Sequence, residues 1–253
     1  MSKAKTDYKK ILASRKFDFS TPIVQDKIYF SIDKNVIGTS GNFITISGLP
    51  KAGKSRFIGA IIAAWLSDRP VFDFKMHRYQ DKTKIALFDT EQGTYQFEKL
   101  IKFIKQNCKT ENIYVDFDAY LLRQDNSQDI AILIDTYLKE NKDCGVLIID
   151  GILDLIDNMN DEGASKALIR RLKHWAVIND ILIITVLHLG KKDLTSIGHV
   201  GSASDRYSQS TLLVEKTKDN KYTCASKYLR DAMDFETISI WFDPNVNEFI
   251  QIK

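Results

Sequence analysis

The sequence predicts an α/β protein in which a mainly parallel central sheet is flanked by helices and extended by antiparallel strands near the C-terminus. Three observations lead there. Gly145 to Asp150 and Ile181 to Leu187 are almost wholly apolar, as strands are when both faces of a sheet are covered. Such runs alternate with segments of helical periodicity, the arrangement that right-handed crossovers between parallel strands require. Beyond about residue 208 the pattern changes to short strand-like runs separated by polar turns.

The elements follow in order. Met1 to about Phe19 carries Lys3, Lys5, Lys9, Lys10, Arg15 and Lys16 among few apolar residues. It reads as a basic arm or a short helix, so residues 1–26 form an extension to one domain spanning 27–253. From Lys27 to Ser47 aromatic and β-branched residues dominate, with turn signals at Asp33-Lys34-Asn35 and Thr39-Ser40-Gly41-Asn42, which predicts a strand or hairpin leading into a buried strand, Phe43 to Ser47. Arg56 to Ser67 reads as a helix with almost no polar face, as expected under a sheet. Pro70 to Tyr79 reads as irregular, Lys84 to Asp89 as the second core strand and Gly93 to Gln106 as an amphipathic helix. The second core strand is expected between the strand at Phe43 and the one ending at Asp150. Asn112 to Leu122 alternates like a strand, while Asp129 to Glu140 and Asp161 to Asn179 are helical in period. Gly190 to Ser208 reads as a polar loop. Ser210 to Glu215, Tyr222 to Ser226, Thr237 to Phe242 and Glu248 to Ile252 then supply the antiparallel strands.

Composition sets limits on the partners. A chain of 253 residues can bury one substantial core and is short for two. Its 36 Lys and Arg against 33 Asp and Glu give a net charge of +3, which permits nucleic-acid binding without demanding it. Cys108, Cys144 and Cys224 are far apart and odd in number, which argues against a disulfide framework or zinc site and for reduced thiols in a cytoplasm. No apolar run approaches the ~20 residues that cross a bilayer, and the N-terminus lacks a signal peptide's apolar stretch. A cytoplasmic protein without a membrane partner is the expectation.

Gly48-Leu49-Pro50-Lys51-Ala52-Gly53-Lys54-Ser55 fits GxxxxGK[ST] at every position, between a strand and a helix. The two glycines let the backbone turn tightly and present N–H groups to an anion, and the following helix points its positive end at the same place. Gly48 to Ser55 together with Arg56 are the expected phosphate contacts, with Lys54 reaching the β- and γ-phosphates and the Ser55 hydroxyl on Mg²⁺. Ligands collect beyond the carboxyl ends of parallel strands, so the residues ending each strand matter most. Asp150 is expected to hold Mg²⁺ through water, with Asp154 further along in a structural role. Glu91 has the reach to deprotonate an attacking water, with Asp89 in reserve and an acidic helix cap as the plainer explanation. His188 ends the strand from Ile181 and would sit beside the γ-phosphate as a hydrogen-bonding sensor.

Taken together, GLPKAGKS, FDTEQ, LIIDG and TVLHLGK resemble the RecA-like P-loop NTPases. They look most like the compact hexameric replicative helicases of the plasmid RepA type, with the DnaB and KaiC groups more distant, over roughly Val36 to Phe242. The resemblance implies ATP and Mg²⁺, and a ring or filament, a hexamer favoured, in which a neighbouring subunit supplies cations to the γ-phosphate. Lys227 and Arg230 are the candidates, although the family's usual spacing is Lys-x-Arg and here there is one residue more. It also implies nucleic-acid-binding residues after the sensor strand, where Lys191, Lys192 and Arg206 have suitable chemistry and single-stranded DNA is the expected partner. The implied activity is ATP hydrolysis by a helicase or DNA-remodelling accessory in replication, recombination or mobilisation of a genetic element. Two departures stand out: the large N-terminal domain of DnaB-type helicases is not seen, and the loop has no paired aromatics on which bases could stack. The alternative is a nucleotide-gated signalling or scaffold ATPase whose partner is a protein.

Overall fold

The structure is a computed structural model that describes residues 7–109, 115–190 and 197–252. The first described element, α1 (Tyr8–Ser14), is held at its start by Asp7, whose side chain accepts from the backbone N–H groups of Lys9 and Lys10. None of residues 7–26 is buried. A hairpin follows, β1 (Ile28–Ile32) and β2 (Asn35–Thr39), then β3 (Phe43–Gly48), α2 (Lys54–Ser67) and β4 (Phe74–Met76). The alternating part of the chain comprises β5 (Lys84–Asp89), α3 (Thr94–Cys108), β6 (Phe117–Leu121), α4 (Ser127–Glu140), β7 (Cys144–Asp150), a 3₁₀ turn (Ile152–Leu155), α5 (Glu162–Asn179) and β8 (Leu182–His188). The late part comprises α6 (Gly198–Tyr207), β9 (Ser210–Lys216), β10 (Tyr222–Leu229), β11 (Ile238–Asp243) and β12 (Glu248–Ile252).

Among the described residues, nine strands form one sheet in the order β12-β11-β10-β9-β3-β8-β7-β5-β6. Every pair from β9 through β3 to β6 is parallel, and β9 to β12 are mutually antiparallel. This is the RecA-like architecture that the sequence predicts. Side chains alternate across the central strands, so one sheet serves two cores. Ile44, Ile46, Ile85, Leu87, Val146 and Ile148 face α2 and α3. Phe43, Ala86, Phe88, Leu147, Ile149 and Ile183 face α4 and α5. Each fully buried Ile, Leu or Phe contributes roughly 1.5–3 kcal/mol, which is why these strands carry almost no polar residues.

Three expectations about layout are corrected. The second core strand, β5, does not lie beside β3, because β8 and β7 intervene; the crossover through α2 and β4 is long enough to pass over two strand positions. The stretch Pro70 to Tyr79 is not wholly irregular, since β4 pairs with β1 in a separate antiparallel sheet of order β2-β1-β4. That small sheet packs Tyr29 against Trp65 and Phe30 against Phe74, closing the far end of α2. The polar stretch ending at Ser208 contains a helix, α6, so Arg206 sits in a last helical turn rather than in a loop. Lys191 and Lys192 lie outside the described residues.

Candidate functional site

β3 delivers the chain to the loop at Gly48, where a tertiary contact enforces glycine. A Cβ there would lie 2.3 Å from the Val214 carbonyl oxygen of the neighbouring β9. Gly53 caps α2 with φ +97°, a left-handed conformation that other residues rarely adopt, and a Cβ would strike the Tyr222 ring at 2.4 Å. No side chain caps the first turn of α2 and no acidic residue lies within it, so its N-terminal dipole is left to an anion.

Lys54 is buried and turned back over the loop. Its Nζ lies 3.1 Å from Gly48 O, 3.0 Å from Leu49 O and 2.9 Å from His188 Nδ1. Since an ammonium only donates, Nδ1 is the accepting nitrogen and Nε2 carries the imidazole proton. Nε2 then donates to Glu91, 2.9 Å from Oε1 and 3.0 Å from Oε2. One hydrogen-bonded chain therefore runs from the loop lysine through His188 to Glu91. The bond from His188 holds the Glu91 carboxyl below the usual carboxylate range, against the opposing effect of burial. Burial lowers the Lys54 ammonium, offset by the charges of Glu91 and Asp150. Glu91 still keeps 36% of its side chain open to solvent, so water can reach it.

β5, β7 and β8 end in register, which is how these groups converge: Asp89 pairs with Asp150, and Asp150 with Val186, two residues before His188. Asp150 is 4% exposed. Burial first, then the charges of Asp89 and Glu91, push its carboxyl up to about 7. Asp89 is fully buried and its Oδ1 accepts the N–H groups of Glu91 at 3.0 Å and Gln92 at 2.8 Å. That position makes it the anchor of the turn that carries Glu91. Thr90 ties the same turn to the end of β7, with its N–H 2.7 Å from Asp150 O and its hydroxyl 2.6 Å from Asp154 Oδ2. Gly151 belongs to this packing, since a Cβ there would meet Glu91 Oε1 at 2.4 Å.

Lys51, Gly53, Lys54, Ser55, Arg56, Glu91, Asp150 and His188 line one open cavity of about 400 Å³, joined by Lys216 and Tyr222. Arg56 lies over two adjoining rings, 4.4 Å from the Tyr222 centroid and 4.7 Å from that of Phe249. Leu49 and Pro50 complete the loop at its rim, and Ala52 is buried behind it. Sequence reasoning missed Lys216, Tyr222 and Gln92. The first two reach the loop by strand pairing with no local motif to announce them, whereas Gln92 had a signal in its place next to Glu91.

Lys227 and Arg230 do not line this cavity. Lys227 Nζ lies 2.9 Å from Asp205 Oδ2 of α6, with both side chains less than a fifth exposed. Arg230 Nη2 donates to Tyr207 O at 3.3 Å and Ser208 O at 3.1 Å, at the C-terminal end of α6. Both cations are engaged within their own chain. Arg206 is exposed on α6.

Residues 32–193 match the family described as AAA domain. The chain belongs to that family. Among solved structures, this AAA domain is similar to one described as an ATPase domain, with a TM-score of 0.57 and 15% identity over 85% of this chain and 86% of that one. At that identity the likeness speaks for the fold. No curated protein matches the sequence. Among the described residues of the AAA domain, no helix is long and apolar enough to cross a membrane.

Proposed function

We propose that this AAA domain binds and hydrolyses ATP with Mg²⁺ and acts, as a self-associated ring or filament, on single-stranded DNA. The observation that carries the ATPase reading is the unbroken chain Lys54–His188–Glu91, which links the phosphate-binding lysine to a carboxylate that water can reach. Ser55, and Asp150 through water, would hold Mg²⁺; a single atom, Gln92 Nε2, lies 3.4 Å from both Ser55 Oγ and Asp150 Oδ2, so the two oxygens face the same small volume. Mg²⁺ usually keeps several waters and few protein ligands beside substrate phosphates, which this sparse donor set suits. The ion would supply positive charge to the β- and γ-phosphate oxygens.

The loop N–H groups and Lys54 bind the phosphates; the three Lys54 N–H groups are committed to Gly48 O, Leu49 O and His188 Nδ1, and in this reading it is the bond to His188 that gives way. His188 then has its Nε2 proton facing the Glu91 carboxylate and its Nδ1 released from the lysine, so it responds to what occupies the γ-phosphate position. Glu91 takes a proton from the attacking water, the step in which a positioned base contributes about 10²–10⁴ in rate. Asp89 and Thr90 fix the Glu91 backbone, so the base is positioned by buried groups rather than by a free loop.

Support for a nucleic-acid partner is on α6, where Arg206 and Tyr207 are exposed and Lys173 lies 4.4 Å over the Tyr207 ring. A cation next to an accessible ring suits a phosphate and a stacked base. Lys191 and Lys192, adjacent in sequence, would add charge, and the protein would act as a helicase or DNA-remodelling accessory. A nucleotide-gated scaffold with a protein partner is the second reading. It is favoured by Lys227 and Arg230 being held inside the chain, since neither is then presented to a neighbour's γ-phosphate. Solution mass with and without ATP and single-stranded DNA, together with ATPase rate at rising salt, separates the two. DNA-stimulated hydrolysis that falls steeply with salt is expected; nucleotide-dependent assembly with no response to DNA or RNA would favour the scaffold.

A further inference from the structure

Between the Walker-type serine and the acidic residue opposite it stands a side chain that belongs to neither. The Gln92 carboxamide Nε2 lies 3.4 Å from Ser55 Oγ and 3.4 Å from Asp150 Oδ2. Its backbone is pinned, because Gln92 N–H donates to the buried Asp89 Oδ1 at 2.8 Å, so motion here is a swing of the side chain alone. The carboxamide nitrogen offers two donors and no acceptor. The two oxygens it faces are the lone pairs that a divalent cation and its water would need, and a lone pair directed at an N–H is not available to a cation.

We propose that Gln92 is a placeholder in the cation seat: its carboxamide satisfies Ser55 and Asp150 until Mg²⁺ and nucleotide displace it. The inference rests on the ATPase reading and adds a direction to it, that Gln92 opposes metal binding rather than assisting it. Both contacts are near the long limit for a hydrogen bond, which suits groups that must part. Burial of Asp150 gives the placeholder its purpose, since a buried polar group with no donor is costly. Because the Glu91 and Gln92 N–H groups are both anchored on Asp89, a swing of the Gln92 side chain leaves the backbone that carries the base unmoved.

The test is Mn²⁺ binding, followed by electron paramagnetic resonance, to the full chain with a non-hydrolysable ATP analogue. Gln92→Met keeps length and volume and removes both donors, while Gln92→Asn shortens the reach by one methylene. Gln92→Met is expected to bind Mn²⁺ about three- to tenfold tighter, the equivalent of one or two weak hydrogen bonds no longer displaced. Gln92→Asn is expected to shift the same way by less, and nucleotide affinity in EDTA should not change in either. Unchanged or weaker Mn²⁺ binding in Gln92→Met overturns the placeholder, weaker binding meaning that Gln92 supports the ion's water shell. Should Gln92→Met fail to fold, the Gln92→Asn shift decides by the same criterion. A wild-type chain that binds no Mn²⁺ with the analogue overturns the ATPase reading itself, and with it this inference.

Discussion

The phosphate end of the molecule and its late strands treat their charged residues in opposite ways. At the phosphate end, Lys54, Glu91, Asp150 and His188 come from four separate parts of the chain and meet around one open cavity, with Lys54, His188 and Glu91 joined by bonds that a substrate could exchange. In the late region, Lys227 and Arg230 are committed to Asp205 and to the last carbonyls of α6. The family match ends at residue 193, between the two regions. Similar residue types thus do different work according to the strand ends they occupy. Charges beyond the parallel strands face an opening, which Lys216 of β9 also lines, whereas Lys227 on β10 and Arg230 just after it fasten α6.

Removing the loop lysine probes the first region hardest. Lys54→Ala is expected to cut hydrolysis by at least about 10²-fold, equivalent to roughly 3 kcal/mol of transition-state stabilisation, with the fold intact by circular dichroism. Wild-type turnover in that variant would break the contrast by showing that the convergent charges are idle. The next effect is on stability. Asp150 has a folded pKa of about 7 against an ordinary 3.8, so between those values the folded chain holds a proton that the unfolded chain releases. Its contribution therefore falls as pH rises through that window and is level above it. Asp150→Asn should match wild type near pH 4 and be more stable by on the order of 2 kcal/mol at pH 8, measured by denaturant titration without nucleotide. An unchanged pH slope would mean that Asp150 is not disfavoured as an anion. The smallest effect belongs to the late region: Lys227→Ala should cost about 1–2 kcal/mol of stability, between the values for exposed and buried pairs. If the variant keeps full stability and loses hydrolysis only in the assembled state, Lys227 acts on a neighbour and the contrast between the regions falls.

Much of this was legible in the sequence because it is local. The loop motif constrains backbone and side chain within eight residues, and buried strands announce themselves by composition, so Gly48 to Ser55 and the ends of β5, β7 and β8 were all readable. Strand order was not, because β8 and β7 come between β3 and β5 through packing that no local pattern records. α6 was missed for a different reason. Its sequence, GHVGSASDRY, is rich in glycine and serine with poor helix propensity. It is held by burial of Val200 and Ser204 and by Lys227 and Arg230. Those same two cations look like fingers for a neighbour when only their own strand is read. Tyr222 and Lys216 reach the cavity through the pairing of β9 with β3, which no spacing rule reveals.

The most direct test of the account compares nucleotide binding with hydrolysis in Glu91→Gln. The carboxamide keeps the size of Glu91 and a hydrogen-bonding oxygen for His188 while losing the base, so ATP should bind within about threefold of wild type and single-turnover hydrolysis should fall by about 10²–10⁴. Hydrolysis at the wild-type rate in that variant would contradict the claim that the Lys54–His188–Glu91 chain ends in the group that activates water.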